Sequence, residues 1–410
     1  MSRLSCRFCG APLTEIFVDL GSSPLANSYL EPEDLGRAEA FYPLAVYTCG
    51  ECLLVQLPEA ERPEAIFSDY AYFSSFSDSW LRHAEAYAVA MIDRFGFGTG
   101  HQVIEIASND GYLLRWFKDR GVPVLGVEPA GNVAQAAVAA GIPTVVKFFG
   151  VATARELVAE GKRADLLVGN NVLAHVPDLN DFVAGLAILL APAGVLTMEF
   201  PHLLRLMAED QFDTIYHEHY SYFSFATVRR VFAAHGLTLF DVEELPTHGG
   251  SLRIYARHED ASKLVGERVA DLLAREEAAG LGRLETYRSF GERVRRVKWG
   301  LLRFLISSKE EGKSIAGYGA PAKGNTLLNY CGVRTDFLDY TVDRSPHKQG
   351  RFLPGTRIPI HGPDRLRETR PDYVLILPWN LKEEIVEQMA DVRSWGGRFV
   401  VAIPEVRVLE

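Results

Sequence analysis

The chain has 410 residues, more than one ordinary hydrophobic core needs and enough for two or three domains. Apolar residues make up 48% of it and charged residues 23%, which is typical of folded globular proteins and excludes disordered and fibrous classes. The formal net charge of −10 and the lack of a basic cluster argue against binding to nucleic acid or to anionic membranes. The sequence shows neither an apolar run of about 18 residues nor an apolar signal segment, so we expect a cytoplasmic protein without a membrane partner.

Four of the five cysteines form two C-x-x-C pairs near the N-terminus: Cys6 with Cys9, and Cys49 with Cys52. Four thiolates in two tight turns suit a tetrahedral zinc ion, and such a closed site leaves no position for catalysis. The spacing between the pairs exceeds that of a usual zinc ribbon, so a hairpin or an insertion must lie between them. We therefore predict a small, short-stranded module with a structural zinc over residues 1–65. Redox-active or free thiols are the alternatives.

Residues 66–261 begin with an aromatic connector and continue with alternating strands and helices. Apolar runs predict strands over 102–106, 123–127, 164–168, 195–200, 237–243 and 251–257, and helices over 112–119, 133–140, 181–190 and 228–235. This βαβ order predicts a mostly parallel, doubly wound sheet whose last two strands form an antiparallel hairpin.

A polar turn follows the first of these strands and precedes a helix, which is where a doubly wound sheet binds a nucleotide-like ligand. The candidate cofactor-binding residues in this turn and at the next strand ends are Glu105, Ser108, Asn109, Asp110, Gly111, Glu128, Asn170 and Asn171. The turn lacks a G-x-G-x-x-G pattern, and a carboxylate at the position of Glu128 can accept bonds from ribose hydroxyls. This combination favours S-adenosylmethionine (SAM) over NAD, because SAM has a ribose and a sulfonium but no pyrophosphate. A plain strand–turn–helix is the alternative.

Residues 216–220 read Tyr-His-Glu-His-Tyr, a run of titratable and phenolic groups that packing alone explains poorly. Its two histidines are two positions apart, so they would share a face on a strand and diverge on a helix. A two-histidine metal site is therefore a weaker interpretation than acid–base chemistry by a histidine. His175, in the loop after the predicted strand 164–168, is either a ligand-binding or a structural histidine.

Residues 262–410 begin with two long helices over 262–311, broken at Gly280 and Gly282, and then repeat the βαβ pattern. Strands are predicted over 314–317, 338–342, 373–377 and 399–403, so we expect a second, Rossmann-like domain. The glycine-rich turn over 317–325 favours a pyrophosphate at a helix N-terminus. Candidate substrate-binding residues from this turn, from later strand ends, from the loop at 248–253 and from the loop after the strand 164–168 are His175, His248, Ser251, Arg253, Tyr318, Lys323, Asn325, Arg344, Lys348 and Trp379.

Together these motifs resemble one family over essentially the whole chain: the SAM-dependent C-methyltransferases of nucleotide-linked keto-deoxysugars, such as those making tetronitrose and mycarose. The resemblance implies an α/β chain of three domains, with a zinc-binding module, a class I SAM-methyltransferase domain over 66–261 and a Rossmann-like domain that helps to bind the nucleotide. It places the catalytic base at His219, with Tyr216 and Glu218 in the same run. It also implies an active-site tyrosine from the aromatic segment, which fits Tyr70 as catalytic residue and leaves Tyr72 as a rival that binds substrate.

The expected reaction is deprotonation next to a ketone, followed by attack of the enolate on the methyl group of SAM. Chemistry supports this order, because such a carbon is acidic only when the enolate oxygen is stabilised. Alternatives are an O- or N-methyltransferase, a non-catalytic zinc and nucleotide adaptor, and a dehydrogenase. The expected partner is a small nucleotide sugar. The sugar, the nucleotide, the methylated carbon and the oligomeric state stay open.

Overall fold

The computed structural model describes residues 4–62, 74–76, 78–259 and 265–409, and these contain three β-sheets of four, seven and six strands. Tyr70 and Tyr72 lie outside the described residues. The strands are β1 (Glu15–Ser23), β2 (Tyr42–Thr48), β3 (Val55–Gln56), β4 (Val103–Ile106), β5 (Val124–Val127), β6 (Thr144–Val145), β7 (Ala164–Asn170), β8 (Leu190–Pro201), β9 (Ser221–Tyr222), β10 (Leu237–Leu245), β11 (Ser251–His258), β12 (Ile315–Tyr318), β13 (Thr341–Val342), β14 (Ile360–His361), β15 (Tyr373–Ile376), β16 (Arg398–Val401) and β17 (Arg407–Leu409).

The α-helices of the described part are, in chain order, α1 (Asp78–Phe95), α2 (Leu114–Lys118), α3 (Gly131–Ala139), α4 (Val151–Ala159), α5 (Leu179–Leu189), α6 (Leu203–Ala208), α7 (Phe225–Ala233), α8 (Glu267–Ala278), α9 (Leu284–Arg288), α10 (Phe290–Glu310), α11 (Ala322–Cys331), α12 (Asp364–Thr369) and α13 (Lys382–Gln388). None of these described helices is long and apolar enough to cross a membrane.

The N-terminal sheet is antiparallel, with strand order β1-β2-β3-β9. Its last strand, β9, comes from the middle of the chain: Val55 pairs with Tyr222, and Gln56 pairs with Ser221. The strand begins two residues after His219, so the N-terminal module holds the end of the Tyr-His-Glu-His run directly. The sequence did not predict this pairing, because two residues are too few to show a strand period.

The central sheet has the order β10-β11-β8-β7-β4-β5-β6, and the five strands from β8 to β6 run parallel. Strands β10 and β11 form the antiparallel hairpin that the sequence predicted. Strand β4 is buried throughout, as expected for a parallel strand covered by helices on both faces. The prediction missed β6 and α4.

The C-terminal sheet has the order β14-β13-β12-β15-β16-β17 and is parallel except for its last pair. Two helices precede it, α8 and α10, and the short α9 follows Gly280 and Gly282 between them. The predicted three-part α/β fold class is thus confirmed. The sequence missed β14 and β17, which are short edge elements.

A continuous hydrophobic core joins the N-terminal sheet, the segment before Tyr216 and the C-terminal sheet. It includes Phe17 of β1, Phe212 and Ile215 of the middle segment, and Leu328 of α11, all nearly or completely buried. Phe17 also stacks on Phe290 of α10, with ring centroids 4.5 Å apart. Because all three parts share this core, the Tyr-His-Glu-His run is fixed where they meet.

Candidate active site

The four cysteine sulfurs of the N-terminal module all lie within 4.8 Å of one another. The Cys6 and Cys52 sulfurs are 3.6 Å apart and the Cys9 and Cys49 sulfurs 3.5 Å apart, close to the edge of about 3.8 Å in a tetrahedral zinc–thiolate site. The hydrogen bond with Cys52 lowers the pKa of Cys6, and the Gln56 amide donates to the same Cys6 sulfur over 3.1 Å. The donor set therefore fits a structural zinc.

Arg7, in the first cysteine turn, connects this cluster to the loops that carry His175 and His219. Its guanidinium donates to the carbonyl oxygens of Pro177 and Leu57, each over 2.6 Å, and lies 5.4 Å from the ring centroid of Tyr220. Pro177 follows the His175 loop and Tyr220 follows His219, so one side chain contacts both loops. No sequence signal marks Arg7 for this role, since a charged residue inside a zinc turn is usually solvated.

The polar turn after β4 has a constrained backbone. Asn109 has a φ of 51° and Gly111 a φ of 78°. A Cβ on Gly111 would lie 2.8 Å from Cγ1 of Ile142, so only glycine fits there. The Glu128 carboxylate accepts from the backbone N–H groups of Asn109 and Ala130, over 2.8 and 2.9 Å. This turn and the end of β5 therefore form one rigid unit.

Acidic side chains crowd this edge of the sheet. Burial, and then the nearby carboxylates of Glu128 and Asp110, raise the pKa of Glu105 well above its usual value. Burial also raises the pKa of Glu128. Among the described residues, Oε2 of Glu105 and Oγ of Ser108 have no hydrogen-bond partner despite their burial. Such acceptors suit a ligand that brings hydroxyl or ammonium donors.

His219 is held with its Nδ1 atom 2.8 Å from the carbonyl oxygen of Thr214, so Nδ1 carries the proton and Nε2 keeps a lone pair. Burial, followed by the neighbouring His175 ring, lowers the pKa of His219 well below its usual value. The Tyr216 ring lies 4.0 Å and the His175 ring 4.7 Å from the His219 ring, centroid to centroid. The neutral imidazole is therefore a base whose Nε2 is available at neutral pH.

The neighbouring side chains of the run point elsewhere. Glu218 accepts a 2.6 Å hydrogen bond from the amide of Asn27, in the N-terminal module. His217 is 3.2 Å from the carbonyl oxygen of Pro43. Because the two histidines bind different carbonyl groups, the alternative of a two-histidine metal site has no support. Within the described part of the chain, the four cysteines are the cluster that could hold a metal.

The C-terminal part brings a lysine, a tryptophan and an asparagine to this region. Trp379 donates from Nε1 to a carboxylate oxygen of Asp213 over 2.7 Å. Lys323 donates to Oδ1 of Asn380 over 2.7 Å, and its Nζ lies 4.8 Å from the centroid of the Trp379 ring. Burial raises the pKa of Asp213 to about 6 and lowers that of Lys323. The site thus lies between the central sheet and α11.

Comparisons with known proteins agree with this architecture. Three family models match: "Putative zinc binding domain" over residues 6–67, "Methyltransferase domain" over 80–242, and "C-methyltransferase C-terminal domain" over 246–404. The C-methyltransferase NovU of Streptomyces niveus is 37% identical over 404 residues, which cover 98% of this chain and 96% of NovU. The chain belongs to this C-methyltransferase family. The resemblance and the enzyme class inferred from the sequence are confirmed.

Two solved structures similar to this C-methyltransferase each cover 44% of it. The magnesium protoporphyrin IX methyltransferase of Synechocystis PCC 6803, with bound SAM, is 16% identical with a TM-score of 0.33, covering 44% of this chain and 79% of that one. An S-adenosylmethionine-dependent methyltransferase from Clostridium acetobutylicum ATCC 824 is 8% identical with a TM-score of 0.36, covering 44% and 92%.

Several predicted residues of the C-methyltransferase lie at the carboxyl-terminal edge of the parallel strands in the central sheet. Asn170 ends β7 with its buried side-chain amide lacking a partner among the described residues. Asn171, with a φ of 54°, lies 3.3 Å from Nε2 of His248, measured from Nδ2. Asn109 and Asp110 accept from the backbone N–H groups of Ser74 and Ser75, over 3.0 and 3.1 Å. Ser74 and Ser75 therefore lie against this turn.

Two predicted substrate-binding residues, Arg253 and Ser251, bind other groups of the protein. Arg253 pairs with Glu199 and with Glu243, at 2.6 and 3.0 Å, and lies over the Tyr87 ring. The Ser251 hydroxyl donates to the carbonyl oxygen of Thr247. The structure does not bring these two side chains to His219. They stay predictions as substrate ligands, and their contacts give both a role in holding β11.

Near the glycine-rich turn, the predicted residues divide into two groups. Asn325 donates to the carbonyl oxygen of Ala26 over 2.6 Å, and Lys348 donates to that of Ala320 over 2.9 Å. Arg344 is exposed, while Tyr318 is buried and has its pKa raised by that burial. Two residues that the sequence analysis missed, Asn27 and Tyr29, contact Glu218 and the carbonyl of Ala320. No sequence signal marked them, because their partners lie far away along the chain.

Proposed function

We propose that this C-methyltransferase transfers the methyl group of SAM to a carbon next to the ketone of a nucleotide-linked 4-keto-deoxysugar. The observation that carries the proposal is the state of His219: Nδ1 is bound to the Thr214 carbonyl, and a lowered pKa leaves Nε2 unprotonated at neutral pH. A neutral imidazole beside the ligand edge of a doubly wound sheet is suited to removing a proton from carbon.

The polar turn after β4 and the end of β5 form the proposed SAM site. Glu128 would accept bonds from the ribose hydroxyls, and the unsatisfied acceptors of Glu105 and Ser108 fit the donors of the ligand. Asn170, with an unpartnered buried amide among the described residues, would close the site beside β7. Bound SAM supplies an electrophilic methyl group.

His219 would take the proton from the substrate carbon onto Nε2, and the bonding electrons would move into the ketone to form an enolate. A carbon–carbon bond then forms as the methyl–sulfur bond breaks, and His219 returns its proton to solvent. Tyr216 stacks against His219 and is a candidate donor to the enolate oxygen. Tyr70, with Tyr72 as its rival, stays a sequence-based candidate for the same task.

The proposed zinc ion has a structural task. Four cysteines leave no open coordination position, and Arg7 transmits the geometry of the cluster to Pro177 and Tyr220. The nucleotide would bind along the C-terminal sheet at the glycine-rich turn after β12, where Arg344 and Lys348 lie near Asp343.

The experiment is an incubation with SAM and a panel of dTDP-4-keto-deoxysugars, analysed by mass spectrometry with fragmentation. We expect a mass gain of one methyl group located on a carbon next to the ketone. A methyl group on oxygen or nitrogen would replace the proposal with an O- or N-methyltransferase. Binding of SAM and of the nucleotide without any methyl gain across the panel would favour the adaptor. His219→Asn, a variant with a similar volume, serves as the matched inactive control.

A further inference from the structure

Lys323 occupies an unusual place for a cation. It lies in the first turn of α11, where the helix dipole disfavours positive charge, and burial lowers its pKa further. Within the described part of the chain, Asn380 is its hydrogen-bond partner, and the buried carboxylate of Asp213, beyond ion-pair distance, is the charge that favours its protonated form. An ammonium group has three N–H donors, so two remain for other acceptors. A buried ammonium group with few hydrogen-bond acceptors lowers the stability of the fold unless a ligand accepts its remaining hydrogen bonds.

The side chain of Lys323 faces the central domain. One helical turn further along α11, the hydroxyl of Thr326 donates to the carbonyl of Ile215 over 2.8 Å. Residues three apart share a helix face, so Lys323 lies over the same segment. The neighbouring carbonyl in that segment, of Thr214, is the one that holds His219. The charge of Lys323 also contributes to lowering the pKa values of His219 and His248.

The Trp379 ring packs against Lys323 and contacts two segments of the central domain. Its ring lies under the Lys323 ammonium, and its Nε1 donates to Asp213 of the segment before His219. A Cβ on Gly249 would be 2.4 Å from Cη2 of Trp379, so the ring also touches the loop that carries His248. Lys348, in contrast, donates to the carbonyl of Ala320 in the glycine-rich turn. The two lysines therefore have different partners, Asn380 for Lys323 and the glycine-rich turn for Lys348.

We propose that the Lys323 ammonium donates to the ketone oxygen of the sugar and stabilises the enolate that His219 forms, rather than binding the pyrophosphate. This inference rests on the proposed function. Lys323 keeps its proton throughout: the substrate proton goes to His219, and the negative charge that develops on the oxygen lies against the ammonium. An enolate oxygen in a buried site gains more from such a donor than the neutral ketone does.

The test compares Lys323→Met and Lys323→Arg with the wild type. The control variant is Lys309→Met, in the last turn of α10. We would measure the dissociation constant of dTDP by calorimetry. We would also measure SAM-free hydrogen–deuterium exchange next to the ketone of a saturating dTDP-4-keto-deoxysugar by NMR. We expect exchange to fall at least about 100-fold in Lys323→Met, with partial recovery in Lys323→Arg, while dTDP affinity changes less than about three-fold.

The opposite pattern would overturn the inference: dTDP affinity falls about ten-fold or more, and exchange at saturation equals that of the wild type. Thermal unfolding of each variant identifies a loss of fold. If Lys323→Met does not fold, the dTDP titration of Lys323→Arg decides whether Lys323 contacts the ketone oxygen or the pyrophosphate. If wild-type protein binds dTDP but neither exchanges hydrogen nor transfers a methyl group across the sugar panel, the proposed function fails, and the role of Lys323 falls with it. Exchange in the wild type that Lys323→Met leaves intact contradicts the lysine assignment alone.

Discussion

The Nδ1 atom of His219 donates to the carbonyl oxygen of Thr214 over 2.8 Å, and this bond selects the tautomer of a buried histidine. Thr214 belongs to a segment that α11 holds through the Thr326 hydroxyl, so the C-terminal part fixes the proposed base of the central part.

His219 is expected to titrate below the usual histidine pKa of about 6.5. The cause is burial, reinforced by His175, His248 and Lys323, which oppose a positive charge on the ring. Since the neutral imidazole is the proposed base, the fraction of His219 in this form is complete at neutral pH and is lost as pH falls through the lowered pKa. An NMR titration of carbon-13-labelled histidine, with His219→Asn to assign the signal, measures this value. A midpoint at or above 6.5 would contradict the account.

Glu128→Gln is expected to raise the dissociation constant of SAM about ten-fold or more, because the variant loses a charged acceptor for the ribose. Calorimetry with SAM measures the effect. Glu156→Gln is the matched control, since that carboxylate is exposed and pairs with Lys147. Equal SAM affinity in wild type and Glu128→Gln would remove Glu128 from the cofactor site. A melting curve without SAM shows whether the turn itself has changed.

Arg7→Ala is expected to lower kcat about ten-fold while zinc content stays at one ion per chain. The variant removes the donors to Pro177 and Leu57 but leaves all four cysteines in place. Zinc analysis and steady-state kinetics check this, with Arg37→Ala as an exposed control in the same module. Arg7→Lys should recover part of kcat. If KM for the sugar rose with kcat unchanged, Arg7 would act on substrate binding instead.

Gly111→Ala is expected to destabilise the protein more than Gly161→Ala does. Both glycines have a positive φ, 78° and 77°, and each alanine there costs roughly 1 kcal/mol of backbone strain. At Gly111 the added methyl group also meets Ile142, whereas at Gly161 no atom of the described residues lies within 4 Å of it. The overpacking adds about 1–3 kcal/mol. Urea unfolding compares the two variants, and equal free energies of unfolding would mean that the contact with Ile142 relaxes freely.

Much of this architecture could be predicted from local sequence. The buried strand β4 and the turn with Gly111 follow from apolar runs and polar breaks, and the four cysteines from their paired spacing. Contacts between distant segments could not be predicted from the sequence. These are the pairing of β3 with β9, the hydrogen bond from Asn27 to Glu218, and the hydrogen bond from Arg7 to Pro177. Such contacts depend on how the three sheets pack together. The sequence of a single helix or strand does not indicate which distant residues it will contact.

The central claim is that His219 removes a proton from carbon. The most direct test is SAM-free hydrogen–deuterium exchange next to the ketone of a dTDP-4-keto-deoxysugar, measured by NMR for wild type and His219→Asn side by side. We expect exchange in the wild type and a decrease of about 100-fold or more in the variant, with dTDP affinity unchanged. Equal exchange rates in the two proteins, both above the rate without protein, would show that another group is the base.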